Sequence, residues 1–250
     1  MRAVDQLVHS RARVGPRSAL LPLEGFPFSR LPDWPEAQVR ILAAPALGAQ
    51  FAQYLIDLPA GKQGQFVPDD SLETFYFVIS GGGKIDAQKG QQNLNAGSFG
   101  LVPPNTPAVF HAAQALRLIV LRKRYEPAPG IQIFKAVHGH ESQIKKEIWA
   151  NNPHSLLQTL IPDEFVYDLA MNIFTFDPGH GLPVVETHVM EHGLYFLEGK
   201  GQYYLEDQWM EVQPDDFIWM GPYCPQSFSA TGGAPSRYIY YKNVNRDVAI

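Results

Sequence analysis

Residues 191–201 read "EHGLYFLEGKG", and residues 73–83 read "ETFYFVISGGG". An offset of 118 residues brings Glu73 onto Glu191, Gly81 onto Gly199 and Gly83 onto Gly201, while Phe77 meets Phe196 after a slip of one. The same offset lays "GSFGLVPPNTP" (97–107) over "DDFIWMGPYCP" (215–225), matching Phe99 with Phe217 and Pro107 with Pro225. Each copy then enters an alternating strand, "LRLIVLRKRY" (116–125) and "SRYIYYKNVN" (236–245). Self-similarity at a fixed offset marks a duplicated structural unit. Within each copy, short period-2 apolar runs are bounded by Gly, Pro, Asn and Asp, which predicts antiparallel β-barrels. The fold class is therefore all-β, with two tandem barrels in one chain.

Working outward, residues 41–125 form the first barrel and residues 166–250 the second. Residues 1–40, rich in Pro and Arg, read as an N-terminal arm packed on a barrel. Residues 126–165 are a connector in which "HESQIKKEIWA" (140–150) suits a short helix and "SLLQTLIP" (155–162) a second short turn. Composition agrees with many strands and tight turns: charged residues are only 18%, with 21 Gly, 21 Pro, 15 Phe and 11 Tyr.

A formal net charge of −5 gives no basic surface for nucleic acid. No run of about 18 apolar residues is present to span a membrane. The N-terminus lacks the apolar core of a secretory signal. A single cysteine, Cys224, rules out an intrachain disulfide and suits a reducing compartment, so a cytoplasmic location is expected.

The chemistry concentrates in "ETHVMEH" (186–192). In an extended stretch, Glu186, His188 and Met190 share one face, and the parity carried through a bend puts His192 there too. Glu191 has the opposite parity, and its repeat partner Glu73 marks it as structural. At the constant offset, Glu186, His188 and His192 fall on Pro68, Asp70 and Thr74, which could not replace them as a ligand set. A lone strand histidine is usually a satisfied polar residue; two histidines and a carboxylate on one face point to a cation.

Glu-x-His-x3-His-x6-Gly, followed by a Gly-Pro turn, resembles the cupin motifs, with Glu186 at the place of the first histidine and Gln226 at that of the last. His180 stands where an opening glycine is usual. The Glu, His, His, Gln set is unusual for cupins and resembles the (S)-ureidoglycine aminohydrolase family of bicupins. The likeness extends through "APALGAQFAQYLIDL", "LETFYFVISG", "ETHVMEHGLYFLEGKGQYYLE" and "YIYYKNVNRDVAI". It implies two jelly-roll cupin barrels and Mn²⁺ held by Glu186, His188, His192 and Gln226. It also implies release of ammonia from (S)-ureidoglycine to leave ureidoglycolate, within allantoin and purine catabolism. The ligand chemistry itself admits Fe²⁺ or Zn²⁺ as alternatives.

The resemblance further places Tyr203, Tyr238 and Lys242 in the substrate pocket, with Glu186 and Gln226 contacting substrate as well. Glu186, Lys242 and Tyr238 are then the catalytic candidates. Lys242 can pair with a substrate carboxylate as a point charge, and the tyrosines can donate hydrogen bonds to a ureido group. At the constant offset Gln226 falls on Ala108, Tyr203 on Ile85, and Tyr238, Tyr240 and Lys242 on Val120, Arg122 and Arg124. The expected partner is a small anionic ureido compound, and the exposed edges of cupin sheets favour a homo-oligomer.

The remaining candidates read as structural: "HGH" (138–140) and His111 as solvated loop or turn residues, Cys224 as a buried, inert thiol, "GGGK" (81–84) as a turn and "RKRY" (122–125) as a structural or subunit contact. An Fe²⁺ cupin dioxygenase, another metal cupin such as a sugar isomerase, and a non-catalytic ligand-binding bicupin are the competing functional classes.

Overall fold

The computed structural model describes residues 10–87 and 90–243. In chain order the strands are β1 (Arg13–Val14), β2 (Ser18–Leu21), β3 (Gln38–Ala43), β4 (Phe51–Leu58), β5 (Gln63–Phe66), β6 (Leu72–Ser80) and β7 (Gly82–Ala87). They continue with β8 (Gly90–Asn95), β9 (Ser98–Val102), β10 (Ala108–Ala112), β11 (Leu116–Arg124), β12 (Val137–His140), β13 (Glu147–Trp149) and β14 (Asn152–Thr159). The last are β15 (Leu169–Phe176), β16 (His192–Glu198), β17 (Gly201–Leu205), β18 (Gln208–Val212), β19 (Phe217–Met220), β20 (Gln226–Ala230) and β21 (Ser236–Asn243). Among the described residues there is no α-helix, only three short 3-10 turns. The all-β expectation holds.

The chain divides into two interleaved units. Among the described residues, one takes 28–145 and 159–170; the other takes 10–27, 146–158 and 171–243. In the first, a six-stranded sheet ordered β12-β9-β6-β11-β4-β3 stands with a four-stranded sheet ordered β5-β10-β7-β8. In the second, the eight-stranded order is β1-β2-β19-β16-β21-β15-β14-β13, with a three-stranded sheet β18-β17-β20. The large sheets run in parallel through the repeat: β9-β6-β11 corresponds to β19-β16-β21. Outer strands come from elsewhere in the chain, β2 pairing with β19 and β12 with β9.

Local sequence explains the strands. "FAQYLIDL" in β4 and "GQYYL" in β17 alternate buried with half-buried residues, as strands with one face on a core do. "LAMNIFTF" in β15 is buried throughout and sits inside its sheet. The repeated glycine has a steric cause. Gly81 and Gly199 have φ of 85° and 81°, and a Cβ would lie 1.9 Å from Ala115 O in one copy and 2.5 Å from Pro235 O in the other.

Several expectations are corrected. "HESQIKKEIWA" forms a 3-10 turn (Glu141–Gln143) and then β13, because Trp149 has a hairpin partner across a tight turn. "SLLQTLIP" lies largely in β14, His138 and His140 in β12, and His111 in β10. The stretch 186–191 is a loop rather than a strand, tied down by an isolated bridge between Glu186 and Gln226. The final segment 244–250 lies outside the described residues.

Cross-strand pairing also corrects the constant offset. Thr74 faces Arg122, whereas His192 faces Lys242. Lys242 therefore corresponds to Arg122, Tyr240 to Val120 and Tyr238 to Leu118. Likewise Ala108 faces Phe66 where Gln226 faces Glu186, so Phe66 rather than Pro68 answers Glu186. Insertions on either side of matched anchors cancel in the overall offset and hide these slips.

Candidate active site

His192 opens β16, where it is 4% exposed. Its Nδ1 lies 3.0 Å from the carbonyl oxygen of Tyr241 and donates to it, which leaves the lone pair on Nε2. Burial holds its pKa down at about 3; the neighbouring His188 acts in the same direction, against the Tyr241 bond. A neutral imidazole with its second nitrogen locked by a carbonyl is the arrangement metal-binding histidines adopt.

His188 reaches the same point from the loop, held there by the Tyr223 amide donating to its carbonyl at 2.7 Å. The two Nε2 atoms lie 3.3 Å apart, and the Gln226 amide nitrogen lies 3.0 Å from His188 Nε2. The amide of Gln226 can offer either nitrogen or oxygen; its oxygen accepts from the Tyr203 hydroxyl at 3.4 Å. His188 Nδ1 is buried without a hydrogen-bond partner. Two reciprocal backbone bonds, at 2.8 and 2.9 Å, fix Glu186 opposite Gln226. Burial raises the Glu186 carboxyl, while His188 and Lys242 lower it.

Among the described residues, no three His, Cys, Asp or Glu side chains stand at cation-binding spacing. The meeting point consists of two imidazoles and an amide, with the Glu186 carboxylate on the same wall. Glu186, His188, His192, Tyr203, Gln226, Tyr238 and Lys242 all line one cavity of about 360 Å³. This donor set fits a divalent cation: two imidazole Nε2 atoms and an amide that meet, one of the imidazole lone pairs locked toward that point, and an adjacent carboxylate.

Burial raises the pKa of Tyr203, Tyr238 and Tyr240, so all three keep their protons and act as donors. Asn172 donates to the Tyr240 hydroxyl at 3.3 Å. Glu191 turns away from the cavity; it is buried and accepts from Trp219 Nε1 at 2.9 Å. Cys224 is buried outside the cavity lining, its thiol raised by burial.

The cavity also has an aromatic wall. Phe174 stacks on Tyr240 at 5.6 Å and 6°, and Trp149 meets Phe174 edge-on at 5.5 Å. Sequence reading gave no role to Trp149 or Phe174. The one available signal was a tryptophan set in the polar run "KKEIWANN", which no apolar period explains.

Comparison with known proteins follows the same lines. A family profile described as a cupin domain matches residues 172–241. The chain is 34% identical to (S)-ureidoglycine aminohydrolase of Escherichia coli (strain K12) over 236 residues, 93% of this chain and 90% of that protein. It is 33% identical to (S)-ureidoglycine aminohydrolase of Arabidopsis thaliana over 232 residues, covering 92% and 76%. Among solved structures, protein Ylba from E. coli superposes with a TM-score of 0.87 at 32% identity, covering all of both chains. Bacillus subtilis oxalate decarboxylase superposes at 0.72 with 10% identity, covering 99% of this chain and 85% of that one; this likeness concerns the fold alone.

Proposed function

This chain belongs to the (S)-ureidoglycine aminohydrolase family, is a hydrolase acting on C–N bonds, and we propose that it converts (S)-ureidoglycine and water into ureidoglycolate and ammonia. The observation that carries the proposal is the single cavity in which two imidazoles, an amide and a carboxylate face a lysine and three protonated tyrosines.

Glu186, His188, His192 and Gln226 would hold a divalent ion, Mn²⁺ in this proposal. When bound, that ion supplies Lewis-acid polarisation at the histidine end of the cavity. With one carboxylate among these four residues, a bound divalent ion would keep about one unit of positive charge to attract an anion. Lys242 pairs with the substrate carboxylate, and Tyr238 and Tyr203 donate to the ureido group. Glu186 accepts from the amino group on the reacting carbon. These contacts orient that carbon so that the amine departs and water adds in its place. The reaction fits allantoin and purine breakdown, and the exposed edge strands β1 and β13 fit a homo-oligomer.

The test supplies enzymatically generated ureidoglycine and follows ammonia with Mn²⁺ present, chelated and restored. The expected result is rapid release, loss on chelation and recovery with Mn²⁺ ahead of Zn²⁺. Full release by verified metal-free protein overturns the metal assignment. Oxygen consumption with bound iron and no ammonia would favour a dioxygenase instead.

A further inference from the structure

We infer that Trp149 is a positioning residue, its indole closing the C-terminal cavity over the planar ureido portion of the bound substrate. The inference rests on the hydrolytic reading above and adds a residue to it. Trp149 lines the same cavity as His188, His192 and Lys242, yet is 37% exposed. It is the last residue of β13, a three-residue strand exposed throughout, so it fills no core.

The hairpin that carries it is built to a demanding geometry. Trp149 pairs with Asn152 across a two-residue turn in which Ala150 and Asn151 both have positive φ, 51° and 58°. Asparagine tolerates that region; alanine adopts it at a cost. The register also breaks between Ile148 and Trp149, turning the tryptophan out of step with the strand. From Trp149 the aromatic contacts run inward through Phe174 and Tyr240 to His192, whose ring meets Tyr240 at 5.6 Å.

The first barrel gives the contrast. Its Trp34, just before the outer strand β3, is 1% exposed and packs on Phe66 and Phe110 at 5.2 and 5.6 Å within the apolar core. Trp34 fills a barrel, whereas Trp149 stands at the rim of an open one. An indole there shields the ureido group from bulk water and strengthens the Lys242–carboxylate attraction behind it.

The experiment uses Mn²⁺-loaded protein with wild-type Trp149, Trp149→Phe and Trp149→Ala. Ammonia release gives KM and kcat; tryptophan emission is read while titrating ureidoacetate, the unreactive analogue without the amino group. Trp149→Ala should raise KM about tenfold with a smaller change in kcat, and Trp149→Phe should recover to within about threefold. Ureidoacetate should shift wild-type emission, and that shift should vanish in Trp149→Phe, which keeps Trp34, Trp209 and Trp219. Wild-type KM in Trp149→Ala, or an emission change that survives in Trp149→Phe, overturns the assignment. Absence of any ureidoacetate-dependent change in wild-type protein overturns it as well. If wild-type protein releases no ammonia, the functional reading fails, and the titration still decides whether Trp149 covers a ureido anion.

Discussion

Arg122 and Lys242 stand at the same step of the same strand in the two barrels, facing Thr74 in one and His192 in the other. Arg122 donates to the Thr74 hydroxyl at 3.3 Å and lies 4.8 Å above the Phe66 ring, which itself packs on Trp34. Lys242 instead shares an open cavity with Glu186, the residue that answers Phe66. Thr74, Ile85, Ala108 and Leu118 stand where His192, Tyr203, Gln226 and Tyr238 stand in the other copy. Apolar or small residues close one interior around a built-in guanidinium; polar residues keep the other open, with the room that the proposed cation and anion would need. The difference teaches that the barrel backbone is neutral toward chemistry, and that a handful of inward positions decides it.

The sharpest way to break this contrast is to write the first barrel's residue into the second. His192→Thr should lower ammonia release by at least about a hundredfold and lose Mn²⁺ during purification, measured by metal analysis. A variant retaining both would end the ligand assignment. Next in size, Lys242→Met should raise KM by about tenfold to a hundredfold, since an anion would be left without its partner. Arg122→Met should leave KM unchanged and lower the melting temperature by a few degrees through its lost ring and hydroxyl contacts. Equal kinetic effects from the two would mean that both barrels bind substrate.

The smallest effect is on pH dependence, where the barrels should have opposite signs. His192 has a folded pKa of about 3, below the unfolded value of roughly 6.5, so its contribution is present above that value and lost as pH falls toward 3. Burial, and then the charge of Asp168, hold the Glu73 carboxyl well above the ordinary range despite Lys123 at 3.6 Å. Its contribution is present below the unfolded carboxyl value and lost as pH rises through the folded one. Each slope is at most about 1.4 kcal/mol per pH unit. Denaturant melts of metal-free protein across pH should flatten on the acid side for His192→Gln and on the alkaline side for Glu73→Gln. Parallel profiles would remove the contrast.

The repeat made the duplicated barrels legible, because glycines with positive φ and buried aromatics recur wherever the same turn and core recur. The same repeat separated Glu191, bound to Trp219, from the residues that line the cavity. What escaped depends on distance in sequence. A constant offset misassigns Glu186 and Lys242 because compensating insertions leave the anchors in step. Local sequence suggests helix at the Trp149 hairpin because its partners, Asn152 across a left-handed turn and Phe174 in another strand, carry no local periodicity. His138 and His140 looked like loop residues because their strand is made by pairing with β9, a tertiary event.

The arm at the start of the chain has a consequence for how the protein is made. Arg11 grips Asp216 through two bonds of 2.6 and 2.7 Å across 205 residues, and β2 completes the sheet beside β19. On the ribosome, at about 5–20 residues per second, β2 must wait roughly ten to forty seconds for β19. Residues 28–145 supply most of the first unit and emerge well before β19. Synthesis thus leaves a bare strand edge in attendance on the late-made part of the second barrel, and that interval is when a neighbouring nascent chain could capture it.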